Sequence, residues 1–227
     1  RYVGAIRRRD LQGPFNPERY LETSPAARLN PAQAIPLDQA FDIVEEKISP
    51  SKNSPNAVWD CLRIDDLDNE PLDPPQARRL TGSELIGSFF PIRDGDLLLA
   101  RLGPPLLNGK IVVARNCGKR TICSPEFLVL RPSNGYDSDV GMWVLRSKAF
   151  RRALYSKCRG STPSRYRLIR EELSGILIPK LSARQQQSIM SEVTRRRNDA
   201  RRLRAEAAAL WKQAKVDFED ALLAPVK

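Results

Sequence analysis

The strongest constraint on this chain is its last long segment, residues 182–223, which contains no Gly and no Pro. Ser182 is followed three residues later by Gln185, the capping-box arrangement that starts a helix. Beyond it, small and aliphatic residues recur at alternating steps of three and four, which predicts a coiled-coil seam that a partner helix can approach closely. The seam residues are Val193, Ala200, Leu203, Ala207, Leu210 and Ala214.

A helix over residues 182–223 would extend roughly 60 Å at about 1.5 Å per residue. That is about twice the width of a small globular domain, so such a domain cannot cover the whole seam. We therefore expect the helix to meet another helix, in this chain, in a second copy or in a partner. Trp211 and Phe218 would anchor that contact.

The rest of the chain is predicted to be organised around one recognition domain. Residues 1–34 are rich in Arg, Pro and Asn and form a leader or connector, whereas residues 224–227 form a short tail. Residues 35–181 are predicted to be an α+β domain, a small and mostly antiparallel sheet with flanking helices, followed by the long coiled-coil-type helix of residues 182–223. Strands are expected at residues 57–64, 97–102, 111–114, 126–130 and 176–179, and helical segments at 37–44, 140–157 and 171–174.

Positive charge is concentrated in one part of the sequence. The net charge is +11, but residues 141–204 alone carry 17 Lys and Arg against 4 Asp and Glu, so the remainder is slightly acidic. A positive charge confined to one stretch is typical of a surface that binds phosphates. The sequence thus predicts an anionic partner.

Catalytic chemistry finds little support. The chain has no His, and its four Cys stand at irregular spacings without a Cys-x-x-Cys pair, which excludes His-dependent nucleophiles and disfavours a zinc site. Gly-rich phosphate loops are absent, and Glu171 with Glu172 is interpreted as the start of a helical turn. We therefore expect no catalytic residue, no metal and no cofactor. The cysteines are expected to be reduced, as in a cytoplasmic protein, and no apolar run is long enough for a membrane span.

DNA recognition fits the residues better, because Arg, Lys and Ser in loops can contact both phosphates and base edges. Three loops carry such residues: the first spans residues 101–110, the second 119–121 and the third 159–167, which follows a basic helix. The candidate DNA-binding residues are Arg101, Lys110, Lys119, Arg120, Arg146, Arg152, Arg159, Ser161, Thr162, Ser164, Arg165 and Arg167.

Several motifs occur in an order and spacing that resemble a known family. They are Gly95-Asp96-Leu97-Leu98-Leu99-Ala100-Arg101, Ser124-Pro125-Glu126-Phe127-Leu128-Val129-Leu130, Gly160-Ser161-Thr162, and Leu173-Ser174-Gly175-Ile176-Leu177-Ile178-Pro179 before the long helix. Over residues 37–223 the chain resembles the specificity subunits of type I restriction–modification (R-M) systems.

The resemblance implies a target-recognition domain that binds double-stranded DNA and positions an adenine methyltransferase subunit, with a restriction subunit as a further partner. A full specificity subunit carries two recognition domains and two long helices, whereas this sequence carries one set. It is therefore either a half-subunit, which could pair with itself through the helix, or the recognition end of a single-chain restriction–methylation enzyme. A coiled-coil adaptor with a basic face that binds nucleic acid is the remaining alternative.

Overall fold

The computed structural model describes residues 31–68, 74–162 and 165–223. Most of the predicted leader, the candidate Ser164 and the tail at residues 224–227 lie outside the described residues. The chain divides after Gln186 into two compact units. The first is an α+β domain, and the second is the remainder of the long helix.

Ten short strands and six helices make up the described chain. The strands are β1 Ala34–Pro36, β2 Phe41–Ile43, β3 Val58–Leu62, β4 Arg78–Thr81, β5 Phe90–Pro91, β6 Leu97–Ala100, β7 Ile111–Val113, β8 Thr121–Cys123, β9 Phe127–Pro132 and β10 Leu177–Pro179. The helices are α1 Leu37–Ala40, α2 Pro50–Asn53, α3 Gly103–Leu107, α4 Ser138–Arg146, α5 Lys148–Ser156 and α6 Ala183–Leu223. Four 3₁₀ turns lie at Pro31–Gln33, Ile64–Asp66, Gly82–Glu84 and Arg170–Glu172.

The strands form three sheets rather than the single small sheet expected. Strands β2, β9, β6 and β7 pair in that order, all antiparallel. A second four-stranded sheet has the order β4, β3, β8, β5 and contains one parallel pair, β3 with β8. Strands β1 and β10 form an antiparallel pair. The predicted class, an α+β domain with mainly antiparallel strands and a long C-terminal helix, is confirmed.

The two four-stranded sheets share a core. Leu98 and Val129 of the first sheet pack in one cluster with Leu62 and Cys123 of the second. The opposite face of the second sheet buries Trp59 and Ile122 in a smaller cluster. Neighbouring residues of β3 and β8 thus point to opposite faces, because side chains alternate along a strand.

Two helical segments differ from the expectation. Residues 37–44 are helical only over α1, after which β2 pairs antiparallel with β9, so sheet pairing prevails over a weak local helical pattern. Residues 140–157 form two helices, because Ser147 is extended (φ −60°, ψ 145°) and its hydroxyl caps α5 at the Phe150 N–H.

The long helix begins as the sequence predicts. The Ser182 N–H donates to Gln185 Oε1 at 2.9 Å, and the Gln185 N–H donates to the Ser182 hydroxyl at 3.4 Å, which completes the capping box. Helix α6 then runs without interruption for 41 residues. Among the described residues, no helix is both long and apolar enough to cross a lipid bilayer.

Candidate nucleic-acid interface

The first and third predicted loops come together at the end of the first sheet. The Arg101 N–H donates to the Glu126 carbonyl at 3.0 Å, and the Leu168 N–H donates to the Arg101 carbonyl at 2.7 Å. Arg167 then pairs with Arg159 through two backbone hydrogen bonds, of 2.9 and 2.8 Å. The four chain segments at Glu126, Arg101, Arg167 and Arg159 therefore lie side by side. We call Arg101, Arg159 and Arg167 the arginine row.

Two glycines permit this close packing. A Cβ at Gly103 would lie 2.8 Å from Tyr155 Cε2, and the Gly103 N–H donates to the Tyr166 carbonyl at 2.8 Å. A Cβ at Gly160 would lie 2.6 Å from the Arg165 carbonyl oxygen. A larger residue at Gly103 would push the first loop away from Tyr155 and Tyr166, and one at Gly160 would collide with the backbone of Arg165 within the third loop.

Two of the three arginines of the row are held by carboxylates. Arg167 donates two hydrogen bonds to Glu126, at 3.0 and 3.3 Å, and this contact raises the pKa of Arg167 above its usual value. Arg159 forms an ion pair with Glu172, which also lies 3.7 Å from Lys157 Nζ. A 3₁₀ turn forms at Arg170–Glu172, where a helical turn was predicted. Sequence reasoning missed both ion pairs, including the position of the Glu172 carboxylate between two basic groups.

The remaining residues of the first loop mostly support the fold. Residues 103–107 form helix α3 rather than an open loop. Lys110 Nζ donates to the Ile64 carbonyl at 3.0 Å, and Arg151 Nη1 donates to the Leu107 carbonyl at 2.5 Å. The Arg101 Nε is buried and has no hydrogen-bond partner among the described residues.

The third loop and helix α5 carry exposed polar groups. Arg152, Ser161, Thr162 and Arg165 are exposed. The Arg165 N–H donates to the Thr162 carbonyl at 2.9 Å. Arg146, at the end of α4, is partly buried with its guanidinium 5.5 Å from the centre of the Trp143 ring.

The second predicted loop is not part of the arginine row. Lys119 and Arg120 are exposed and immediately precede β8 in the second sheet, where the Asp60 N–H donates to the Arg120 carbonyl at 3.0 Å. No group of three or more Cys, Asp or Glu suited to a metal ion occurs within residues 31–68, 74–162 and 165–223.

The second unit of the chain exposes the predicted seam from Leu203 onwards, whereas Val193 and Ala200 are partly exposed. Within helix α6, Leu203 is 55% and Leu210 72% exposed, and Trp211 and Phe218 are exposed as well. Several arginines of this helix pair along it: Arg195 and Arg196 bind Glu192, and Arg202 binds Glu206. The hydrogen bonds from Arg195 and Arg196 lower the pKa of the Glu192 carboxyl to about 2.

No family model matches the sequence, and no curated protein matches it. The fold, however, matches solved structures. One is a chain from a type I R-M system whose complex assembly and conformational transition were studied, with 21% identity and a TM-score of 0.64 over 84% of this chain and 48% of that chain. Another is the HsdS subunit from Thermoanaerobacter tengcongensis, with 21% identity and a TM-score of 0.62 over 79% of this chain and 46% of that chain.

The match confirms, at the level of the fold, the resemblance that the sequence motifs indicated. This chain spans about half the length of the two solved chains. The chain therefore has the fold of the specificity subunits of type I restriction–modification systems, over about half of their length.

Proposed function

We propose that this chain recognises a short sequence of double-stranded DNA as the specificity component of an R-M system. The observation that carries the proposal is the fold of a specificity subunit in a chain whose residues 141–204 have 17 basic side chains against 4 acidic ones. The arginine row and the exposed Arg165 supply donors for phosphates and base edges. Catalysis then belongs to a partner, and the protein would act in the cytoplasm, where the DNA is.

The long helix would dock that partner. Its apolar face is exposed at Leu203 and Leu210, which is costly unless another protein covers it. We propose an adenine methyltransferase subunit as the partner, with a restriction subunit joining the same assembly. We also propose that a second copy can pair through the exposed residues of this helix and bring a second recognition domain into the assembly.

Duplex binding and its salt dependence test the DNA proposal. Each phosphate neutralised by Lys or Arg releases counterions, so the logarithm of the binding constant should fall by about 0.9 per phosphate for each unit of log salt. We expect a slope that corresponds to several phosphates. Binding that is unchanged between about 50 and 200 mM salt would contradict the proposal. Preferential binding of single-stranded RNA would instead favour the adaptor alternative.

The methyltransferase partner needs a separate test. Genomic adenine methylation should be mapped in the host with and without this gene. We expect one sequence motif to lose its methylation in the deletion strain and to regain it on complementation. An unchanged methylation map would contradict the proposed partner, although DNA binding by the chain itself could still stand.

A further inference from the structure

The pair formed by Glu126 and Arg167 has a geometry suited to presenting a guanidinium. Arg167 Nη2 lies 3.0 Å from Glu126 Oε1, and Arg167 Nε lies 3.3 Å from Glu126 Oε2. One edge of the guanidinium is thereby occupied by the carboxylate. The other edge, made by Nη1 and the second Nη2 hydrogen, keeps the two parallel donors that a bidentate acceptor requires.

Both partners are fixed by the backbone around them. Arg167 pairs on one side with Arg159 and on the other with Leu102. The carbonyl of Glu126 accepts the N–H of Arg101, so Glu126 belongs to the same set of adjacent segments. The two side chains are about 40% exposed, at 43% for Arg167 and 35% for Glu126, which leaves the guanidinium accessible to a ligand.

We infer that Glu126 is a positioning residue that orients Arg167 to read a base edge, a role that rests on the proposed DNA recognition. A guanine presents O6 and N7 as a fixed pair of acceptors in one plane, so a guanidinium held in one orientation gains affinity for it and loses little rotational freedom on binding. A phosphate accepts hydrogen bonds from many directions and benefits much less from such orientation. The pair therefore serves discrimination between sequences more than general attraction to DNA.

Neutralising Glu126 should change the affinity for the target duplex in the direction opposite to that expected from charge alone. Glu126 is negatively charged and repels phosphates, so its neutralisation alone would strengthen binding to every duplex. If the carboxylate orients Arg167, Glu126→Gln should instead weaken binding to the target sequence selectively. Arg167→Lys keeps the positive charge but loses the planar fork, so it should have the same selective effect.

The experiment uses the complete 227-residue chain. A randomised duplex pool selects the target of the wild-type protein, and the dissociation constants for this target and for a scrambled duplex are then measured. We expect Glu126→Gln and Arg167→Lys each to lower the ratio of target to scrambled affinity by about tenfold, within the range of one bidentate base contact. The double variant should lose no more than either single variant, because both remove the same contact.

Glu45→Gln is the matched control. Glu45 is exposed and pairs with Arg170 rather than with an arginine of the row, so this variant removes the same charge without removing a partner of Arg167. An unchanged affinity ratio in Glu126→Gln, or a change equal to that of Glu45→Gln, would overturn the inference. So would a loss in both the Glu126 and Arg167 variants that only follows their unfolded fraction in thermal melts.

The outcome also separates the two proposals. If the wild-type chain selects no motif and binds no duplex, the proposed function fails and the inference falls with it. If the wild-type chain selects a motif and Glu126→Gln selects it equally well, DNA recognition stands and only the positioning role is refuted.

Discussion

Arg131 donates two hydrogen bonds to the carboxylate of Asp96, both at 2.9 Å, where β9 and β6 lie side by side. The Asp96 side chain is fully buried, and its Oδ2 also accepts the Arg93 N–H at 3.0 Å. A buried carboxylate is tolerated only when it is paired and hydrogen-bonded. The Asp-Gly-Asp segment of the sequence thus closes a turn and also supplies a buried ion pair that connects two central strands.

Asp96→Asn should destabilise the α+β domain. The change removes the charge that neutralises Arg131 and weakens a buried contact, so we expect the free energy of unfolding to fall by about 3 kcal/mol. Urea denaturation measures this loss. Asp65→Asn, at an exposed aspartate with the same chemical change, should alter the free energy of unfolding by less than about 0.5 kcal/mol. Equal effects of the two variants would refute a structural role for Asp96.

Gln186 should be far more important for stability than the glutamine beside it. Its side chain is buried, accepts the Asp137 N–H at 2.7 Å and donates to the carbonyls of Gly135 and Leu181 at 3.2 Å. Gln186→Ala removes three hydrogen bonds and the packing of a buried side chain, which should cost about 2 kcal/mol in urea denaturation. Gln187→Ala, at an exposed position, is the control and should have little effect. Similar losses in both variants would mean that only helix propensity is being measured.

The long helix was predictable because its determinants are local. The capping residues, the absence of breakers and the spacing of apolar residues all lie within residues 182–223. The apolar runs of β6 and β9 were also recognisable. In contrast, β8 spans three residues and exists through its parallel pairing with β3, which sequence reading cannot supply. The sequence likewise could not distinguish Gln186 from its two neighbours, because burial depends on the tertiary contacts of one helix face.

The candidate site was predictable in part. Charge alone located the basic segment and identified Arg159 and Arg167 as candidates. Their arrangement beside Arg101 depends on backbone hydrogen bonds between distant parts of the chain. Glu126 lies 41 residues from Arg167, so its contact with that arginine left no local signal in the sequence.

The exposed seam of α6 predicts association. Replacing Leu203 and Leu210 together with Glu places two charges on the apolar face, so we expect loss of self-association or of methyltransferase binding in sedimentation experiments. Ala205→Glu with Ala209→Glu adds the same charges on the opposite face of the helix and should leave assembly intact. Unchanged assembly of the Leu203 and Leu210 variant would show that the seam is not an interface.

Arg165 should contribute more to DNA binding than Arg196. Arg165 is exposed in the third loop, and no partner of its side chain is found among the described residues. Arg196 is paired with Glu192 at 2.6 Å on an exposed helix. Arg165→Ala should therefore weaken duplex binding about fivefold or more. If Arg165 contacts a phosphate, the salt dependence of binding should become less steep; if it contacts a base, the preference for the target sequence should decrease.

Arg196→Ala removes the same charge and serves as the matched variant. It should change the dissociation constant less than about twofold, because Glu192 offsets its charge towards phosphates and no base contact is proposed for it. Competition between labelled and unlabelled duplexes, with thermal melts to confirm folding, measures both variants under one condition. The opposite ranking would move the DNA-binding surface from the third loop to the long helix.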